Sequence, residues 1–419
     1  MKILWFCNFI LPSIAKVLSV EPPVSGGWVS SAAEALLQDE HIQLSVCFPQ
    51  NYSQQMLTGV ADGLRYYGYP SKPKAAHIYD VNEQKWQETV IQMEKPDLVH
   101  IWGAEFAAAL AMVNAFHCPQ KTIINIQGLC GFIAKHSCAY LPYKDCKHYT
   151  VRDFLLRDRI IDQQKKFSLR GKLEAEALAK AGHVIGRTRW DHACAKQLAP
   201  NARYYKCNET LRHSFYTNAG TWSADNCETH SIFVSQAGCS LKGFHMVLEA
   251  MPEILKRYPD AKLYTTGNDP FLTPFYRVSG YQRVLKRKIR KLGLQGRVFF
   301  VGYLNEEKMC QRFLRSHVFV SASSIENSPN SVGEAMLLGV PTVASFVGGT
   351  MDLLRDGEEG YLYQPDAPYM LSDHICSVFE DNARAQQMGR NASTHALHTH
   401  DVQKNLEVLL KIYQQVYEI

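Results

Sequence analysis

The residue types best suited to chemistry lie in one run, Ser321-Ala-Ser-Ser-Ile-Glu326-Asn-Ser-Pro-Asn330-Ser331-Val-Gly-Glu334-Ala-Met-Leu-Leu-Gly339-Val-Pro341. A strand ending near Ala322 would hand over to a loop carrying Glu326. A helix would then start near Asn330 or Ser331 and stop at Gly339, with Pro341 blocking its continuation. Backbone N–H groups at a helix start lack intrahelical partners, and with the helix dipole they can hold a diphosphate. Glu326 and Glu334, eight positions apart across that turn, would stand on either side of it. A carboxylate there can grip two adjacent hydroxyls of a hexose or ribose. Plainer accounts stay open. Ser331-x-x-Glu334 has the spacing of a capping box, and Glu326 beside Ser and Asn could be a solvated loop residue.

Other chemistries find less support. Twelve cysteines are scattered without a CxxC, and Cys130, Cys138 and Cys146 have gaps unsuited to a structural metal loop. They read as reduced thiols. No Asp-x-Asp occurs, the carboxylate pair through which a divalent ion would hold a nucleotide, so a metal-independent site is expected.

The elements that must position these residues alternate between strand-like apolar runs and helix-like segments, the pattern of a parallel sheet with crossover helices. Strands are predicted at Lys2–Asn8, Ile42–Phe48, Asp97–Trp102, Thr122–Gln127 and Val184–Gly186, with a helix over Ser30–Gln38 after Gly26-Gly27. The pattern restarts with strands at Ser231–Gln236, Ala261–Thr266, Val298–Val301, Val318–Ala322 and Pro341–Ser345, and helices over Gly243–Arg257 and Tyr281–Leu292. Polar Thr217–His230 reads as the linker. The 419 residues, 46% hydrophobic and 20% charged, suit two α/β domains. Lys2–Asn8 reads as a strand rather than a signal peptide, because polar residues and a proline break the apolar run that follows. Leu98–Phe116 reads as a strand, a turn and a buried helix rather than a membrane span.

The stretch Glu326–Gly349 resembles the donor-binding signature of retaining GT-B glycosyltransferases, especially glycosyltransferase family 4 (glycosyl transferases group 1). Two glutamates separated by seven residues, Ala335-Met336, Gly339-Val340-Pro341 and Gly348-Gly349 carry the likeness. It extends to Leu241-Lys242-Gly243, Gly26-Gly27, Pro96-Asp97-Leu98-Val99-His100 and Gly302-Tyr303-Leu304. The resemblance implies two Rossmann-like, doubly wound domains facing a central cleft, with ligand sites at the carboxyl ends of strands. Residues 1–215 would form the acceptor domain and 216–398 the donor domain, with 399–419 a helix crossing back to the first. It also implies that Glu326 contacts hydroxyls of the donor sugar, Glu334 the ribose, and the Asn330 and Ser331 amides the diphosphate. Lys242 would neutralise the leaving diphosphate, with Gly243 completing its Lys-Gly element. Gly26 and Gly27 would near the phosphates from the first domain, and the backbone around Tyr303 would meet the base.

Two positions depart from the family pattern. Gln236 stands where an arginine is common, six residues before the lysine, and Gln127 where a histidine often ends a strand. Glutamine is neither acid nor base near neutral pH, though it can hydrogen-bond a sugar hydroxyl. Gln127 therefore fits front-face retention, in which the departing phosphate takes the acceptor's proton and the protein positions the reactants and stabilises charge. At the domain junction, Cys207-Asn208-Glu209-Thr210-Leu211 replaces the family's Pro-Asn-Gly-Val; Asn208 and Glu209 could line the cleft or form a structural turn.

The net charge of +5 is mild, but two stretches are basic: Lys144 to Arg189, with twelve Lys or Arg against six Asp or Glu, and Tyr281–Arg297, with no acid. They could be solvated helix faces or a contact with an anionic membrane surface. No nucleic-acid motif accompanies them. The expected partners are a nucleotide sugar and a saccharide or lipid-linked acceptor of the capsule, O-antigen or exopolysaccharide type. No cofactor is expected, and the expected location is the cytoplasm or the inner face of the cell membrane. A Rossmann oxidoreductase or epimerase would need GxGxxG, which is missing. A non-catalytic nucleotide-sugar or glycan binder is the remaining alternative.

Overall fold

The computed structural model describes residues 1–21, 27–71 and 76–419. They form two compact units: Met1–Phe132, Lys166–Leu211 and His400–Ile419 make the first, and Ile133–Lys165 with Arg212–Thr399 the second.

In the first unit, β1 (Lys2–Cys7), β2 (Gln43–Gln50), β3 (Leu57–Ala61), β4 (Leu64–Pro70), β5 (Leu98–Trp102), β6 (Thr122–Asn125), β7 (His183–Gly186) and β8 (Arg203–Lys206) build one sheet. Their order is β3-β4-β2-β1-β5-β6-β7-β8, parallel throughout except for β3, which runs antiparallel to β4. Asp62 and Gly63, with φ of 49° and 83°, turn that hairpin, as a two-residue hairpin loop requires. Ile3 to Cys7 of β1 are fully buried, as expected for a central strand covered on both faces. The helix Val402–Tyr417 lays Leu409, Ile412, Tyr413 and Val416 on the same core as Ile3 and Trp5. The Tyr413 hydroxyl accepts from Trp5 Nε1 (2.9 Å) and lies 2.6 Å from His100 Nδ1. Burial lowers the His100 pKa to about 3, so this ring is a neutral core residue.

In the second unit, β9 (Glu228–Val234), β10 (Lys262–Thr265), β11 (Val298–Phe300), β12 (Ser316–Ser321), β13 (Thr342–Ser345) and β14 (Tyr361–Tyr363) form a parallel sheet. Its order is β11-β10-β9-β12-β13-β14. The order reverses between β9 and β12, the point where a doubly wound sheet opens a crevice at the carboxyl ends of its strands.

Two segments differ from the sequence expectation. Thr217–His230 is not a free linker: Gly220 and Trp222 donate backbone hydrogen bonds to Leu337 and Leu338, and Trp222 Nε1 donates to Ser316 O (2.8 Å). One buried indole and these bonds outweigh the polar composition around them, and β9 already begins at Glu228. Ile133–Lys165, although interposed in the first half of the chain, belongs to the second unit. Arg287 Nη1 donates to Asp145 (2.7 Å), and buried Asp153 accepts from Gly280 N (2.7 Å) at the start of the helix Gly280–Lys291. Among the described residues no helix is long and apolar enough to cross a membrane; Leu98–Phe116 resolves into β5 and the helix Ala107–Phe116.

Candidate functional site

The carboxyl ends of β9 and β12 carry the residues that chemistry would need. After β9 the chain makes a tight turn at Ser240–Lys242 and enters the helix Phe244–Arg257 through Gly243. Gly243 has φ +66°, and a Cβ there would lie 1.7 Å from the carbonyl oxygen of Ala322. Only glycine lets the Lys242 turn sit this close to the end of β12. Ser324 N donates to Leu241 O (2.8 Å) and ties the two strand ends together.

Lys242 Nζ thereby reaches Glu326 Oε1 at 2.5 Å, and Ser323 Oγ donates to the same oxygen at 2.7 Å. Burial acts against the lysine's charge, but the Glu326 carboxylate outweighs it and holds the ammonium above its usual pKa. The lysine side chain keeps 35% of its exposure and that of Glu326 15%, so the pair is solvent-accessible.

A second glycine fixes the backbone of Glu326. Gly348 has φ +51°, its Cβ would lie 1.9 Å from Glu326 O, and Gly349 N donates to that same carbonyl (3.1 Å). Gly348→Ala is expected to lower the urea midpoint of unfolding. The left-handed backbone alone costs an alanine about 1–2 kcal/mol, and the carbonyl clash adds to it. An unchanged midpoint would show that Gly348 does not clamp this loop.

The helix Asn330–Leu338 opens behind Pro329 without any side-chain cap, so the Ser331-x-x-Glu334 spacing does not form a capping box. The proline places the helix start one residue before Ser331, and Glu334 falls beyond the first turn. Its carboxylate instead accepts from Arg212 Nε (2.6 Å) and Nη2 (2.7 Å), a bidentate pair. Burial pushes the Glu334 carboxyl up, against these hydrogen bonds and the Arg212 charge. Arg212 itself is held above its usual value, because the pair with Glu334 outweighs the burial that opposes its charge. Sequence reasoning missed Arg212; 122 positions separate it from Glu334 and no motif links them.

Residues 226–395 match the family model of glycosyl transferases group 1. Spore coat protein SA of Bacillus subtilis (strain 168) is 24% identical over 182 residues, 42% of this chain and 46% of that protein. This chain spans less than half the length of the curated relatives it matches. Among solved structures, sucrose-phosphate synthase from Thermosynechococcus elongatus is similar with a TM-score of 0.73 at 15% identity, covering 100% of this chain and 99% of that one. Anabaena HepE in complex with UDP-glucose is similar with a TM-score of 0.64 at 16% identity, covering 100% and 98%. The chain has the GT-B fold, with two Rossmann-like sheets that are parallel apart from β3 of the first.

The stretch that matches this family model contains Gln236, Lys242, Gly243, Tyr303, Glu326, Asn330, Ser331 and Glu334; Arg212 lies just before it. Gln236 is exposed in the loop after β9, and Tyr303 is exposed beside Gly302, whose carbonyl accepts from Gly267 N (2.9 Å). Asn330 and Ser331 are half-buried at the helix start. The other predicted residues belong to the first unit. Gly27 is the first residue of the helix Gly27–Leu36, and Gly26 lies outside the described residues.

Gln127 follows β6, and its Nε2 donates to Glu209 Oε1. Glu209 is buried and takes its other hydrogen bond from the buried Arg187 guanidinium. Burial raises the Glu209 pKa, against the Arg187 charge. Of the two readings left open for Asn208-Glu209, this burial makes Glu209 an internal partner that orients Gln127 and Arg187. Nothing in the sequence pointed to Arg187.

Proposed function

We propose that this chain is a metal-independent glycosyltransferase of the hexosyl type, moving a sugar from a nucleotide-sugar donor to a saccharide acceptor with retention of anomeric configuration. The observation that carries the reading is the convergence of Lys242, Glu326 and the start of the Asn330–Leu338 helix where the sheet order reverses. A diphosphate would be held by the Asn330 and Ser331 amides and the Lys242 ammonium. Lys242 and Ser323 both donate to Oε1 of the Glu326 carboxylate, and Oε2 would meet hydroxyls of the donor sugar. Glu334 uses two of its roughly four acceptor positions on Arg212; the rest suit a ribose diol.

As the sugar–phosphate bond breaks, negative charge grows on the diphosphate beside Lys242, where a fixed ammonium stabilises it. The departing phosphate oxygen takes the acceptor's proton on the face from which it leaves. No histidine base is then needed at Gln127, whose amide is oriented by Glu209. A nucleotide-sugar donor agrees with the group 1 match and with the UDP-glucose bound by HepE. The acceptor is read as a lipid-linked saccharide of polysaccharide assembly, met at the inner face of the cell membrane.

Incubation with a panel of UDP-, GDP- and ADP-sugars is the test. Release of nucleoside diphosphate from one of them, undiminished by EDTA, is expected. Loss of turnover in EDTA would refute metal independence. Binding without turnover would favour the non-catalytic alternative, to which Gln127 and Gln236 lend themselves. If no nucleotide sugar binds while NAD raises the melting temperature, the transferase reading fails.

A further inference from the structure

The second unit carries a surface whose polarity is inverted. In the short helix Val151–Leu156, Asp153 is fully buried while Phe154 and Leu155 are 69% and 72% exposed. The buried carboxylate holds Gly280 N, so the helix is anchored by its polar residue and turns its apolar ones to solvent. It packs against the Phe275–Arg277 turn, in which Phe275 is 78% exposed, and Leu272 just before that turn is 83% exposed. Large side chains displayed together this way mark an interaction surface.

The same two segments concentrate charge. Residues 143–159 and 271–291 hold twelve Lys or Arg against three Asp, although the whole chain nets only +5. The three aspartates are engaged internally: Asp145 by Arg287, Asp153 by Gly280 N and Arg152, and Asp158 by Arg152. Lys286 and Arg290 both lie over the Phe271 ring. The 144–165 part of the first basic stretch thus meets the second within this unit, and the ridge Phe154, Leu155, Leu272 and Phe275 stands among their basic residues.

We propose that this surface docks the chain on an anionic lipid membrane, with the apolar ridge entering the headgroup boundary and the basic side chains meeting lipid phosphates. Exposed aromatic and leucine side chains with Lys and Arg around them are what an interfacial contact needs. A second copy of the chain would set two strongly basic faces against each other. Leu155 and Leu272, half of the ridge, are aliphatic and offer no face to a nucleic-acid base. The docking extends the membrane-side location proposed above, yet it is read separately from transfer: none of Phe154, Leu155, Leu272 and Phe275 is among the residues assigned to the donor site.

Co-sedimentation of the full chain with phosphatidylglycerol–phosphatidylcholine vesicles, against pure phosphatidylcholine, tests it. Binding to the anionic vesicles only, weakening with salt, is expected. Phe154→Ser with Leu155→Ser should lower it at least tenfold, with melting temperature and donor hydrolysis unchanged. Lys286→Gln should lower it ~5-fold. Absence of binding at low salt would overturn the proposal. So would vesicle binding that ignores the Phe154 and Leu155 changes, tighter binding to single-stranded RNA, or a dimer that the same changes dissolve without any vesicle binding.

Discussion

Lys242→Ala is expected to lower turnover of the nucleotide-sugar donor by ~10²–10³-fold, the effect of removing one fixed stabiliser of transition-state charge. The loss should fall on kcat more than on KM, because the ammonium matters most when the diphosphate carries its full leaving charge. Folding should be nearly untouched. The Lys242–Glu326 pair is partly solvated, and Glu326 keeps its hydrogen bond from Ser323. Glu326→Ala should likewise abolish transfer with folding intact. The double variant should be far less than multiplicative, because two groups that pair and serve one step do not contribute independently. Steady-state kinetics with a urea titration of each variant decides it. Turnover of Lys242→Ala within threefold of the parent would remove the lysine from the mechanism.

Arg212→Ala should destabilise the second unit by about 3–5 kcal/mol near neutral pH, since it strands the buried Glu334 carboxylate without its bidentate partner. The loss depends on pH with a definite sign. Burial already raises the Glu334 pKa, and Arg212 opposes that rise. Removing the arginine lets the folded-state pKa climb further above the unfolded value. The folded variant then holds a proton that the unfolded chain has released, so its stability falls as pH rises from about 5 to 8. The parent should change less over the same range. Arg212→Met combined with Glu334→Leu should recover most of the stability, because a packed apolar pair needs no desolvation of charge. Urea midpoints at both pH values measure this; Arg212→Ala within 1 kcal/mol of the parent at pH 8 would contradict it.

The sequence on its own determined the features that are encoded within a few residues. Alternating apolar runs marked ten of the fourteen strands among the described residues, and Gly339 with Pro341 marked the end of the Asn330–Leu338 helix, because periodicity, caps and ring constraints act locally. The hairpin of β3 and β4 is also encoded locally, in Asp62-Gly63, but Gly59 and Gly68 interrupt the apolar runs of its two strands. The spacing Glu326 to Glu334 pointed to the segment that the structure sets at the sheet's reversal. It did not reveal how either glutamate is held, and the capping box left open at Ser331 does not form because the N-cap is Pro329, two residues earlier.

What tertiary structure alone decided is which charges meet. Lys242 finds Glu326 across 84 positions, Arg212 finds Glu334 across 122, and Gln127 finds Glu209 across 82. Ile133–Lys165 joins the second unit for the same reason, through Asp145, Asp153 and the helix Gly280–Lys291. A hydrogen bond or ion pair acts over about 3 Å, and its partner is whichever group the folded sheets bring there; local composition carries no record of that distance.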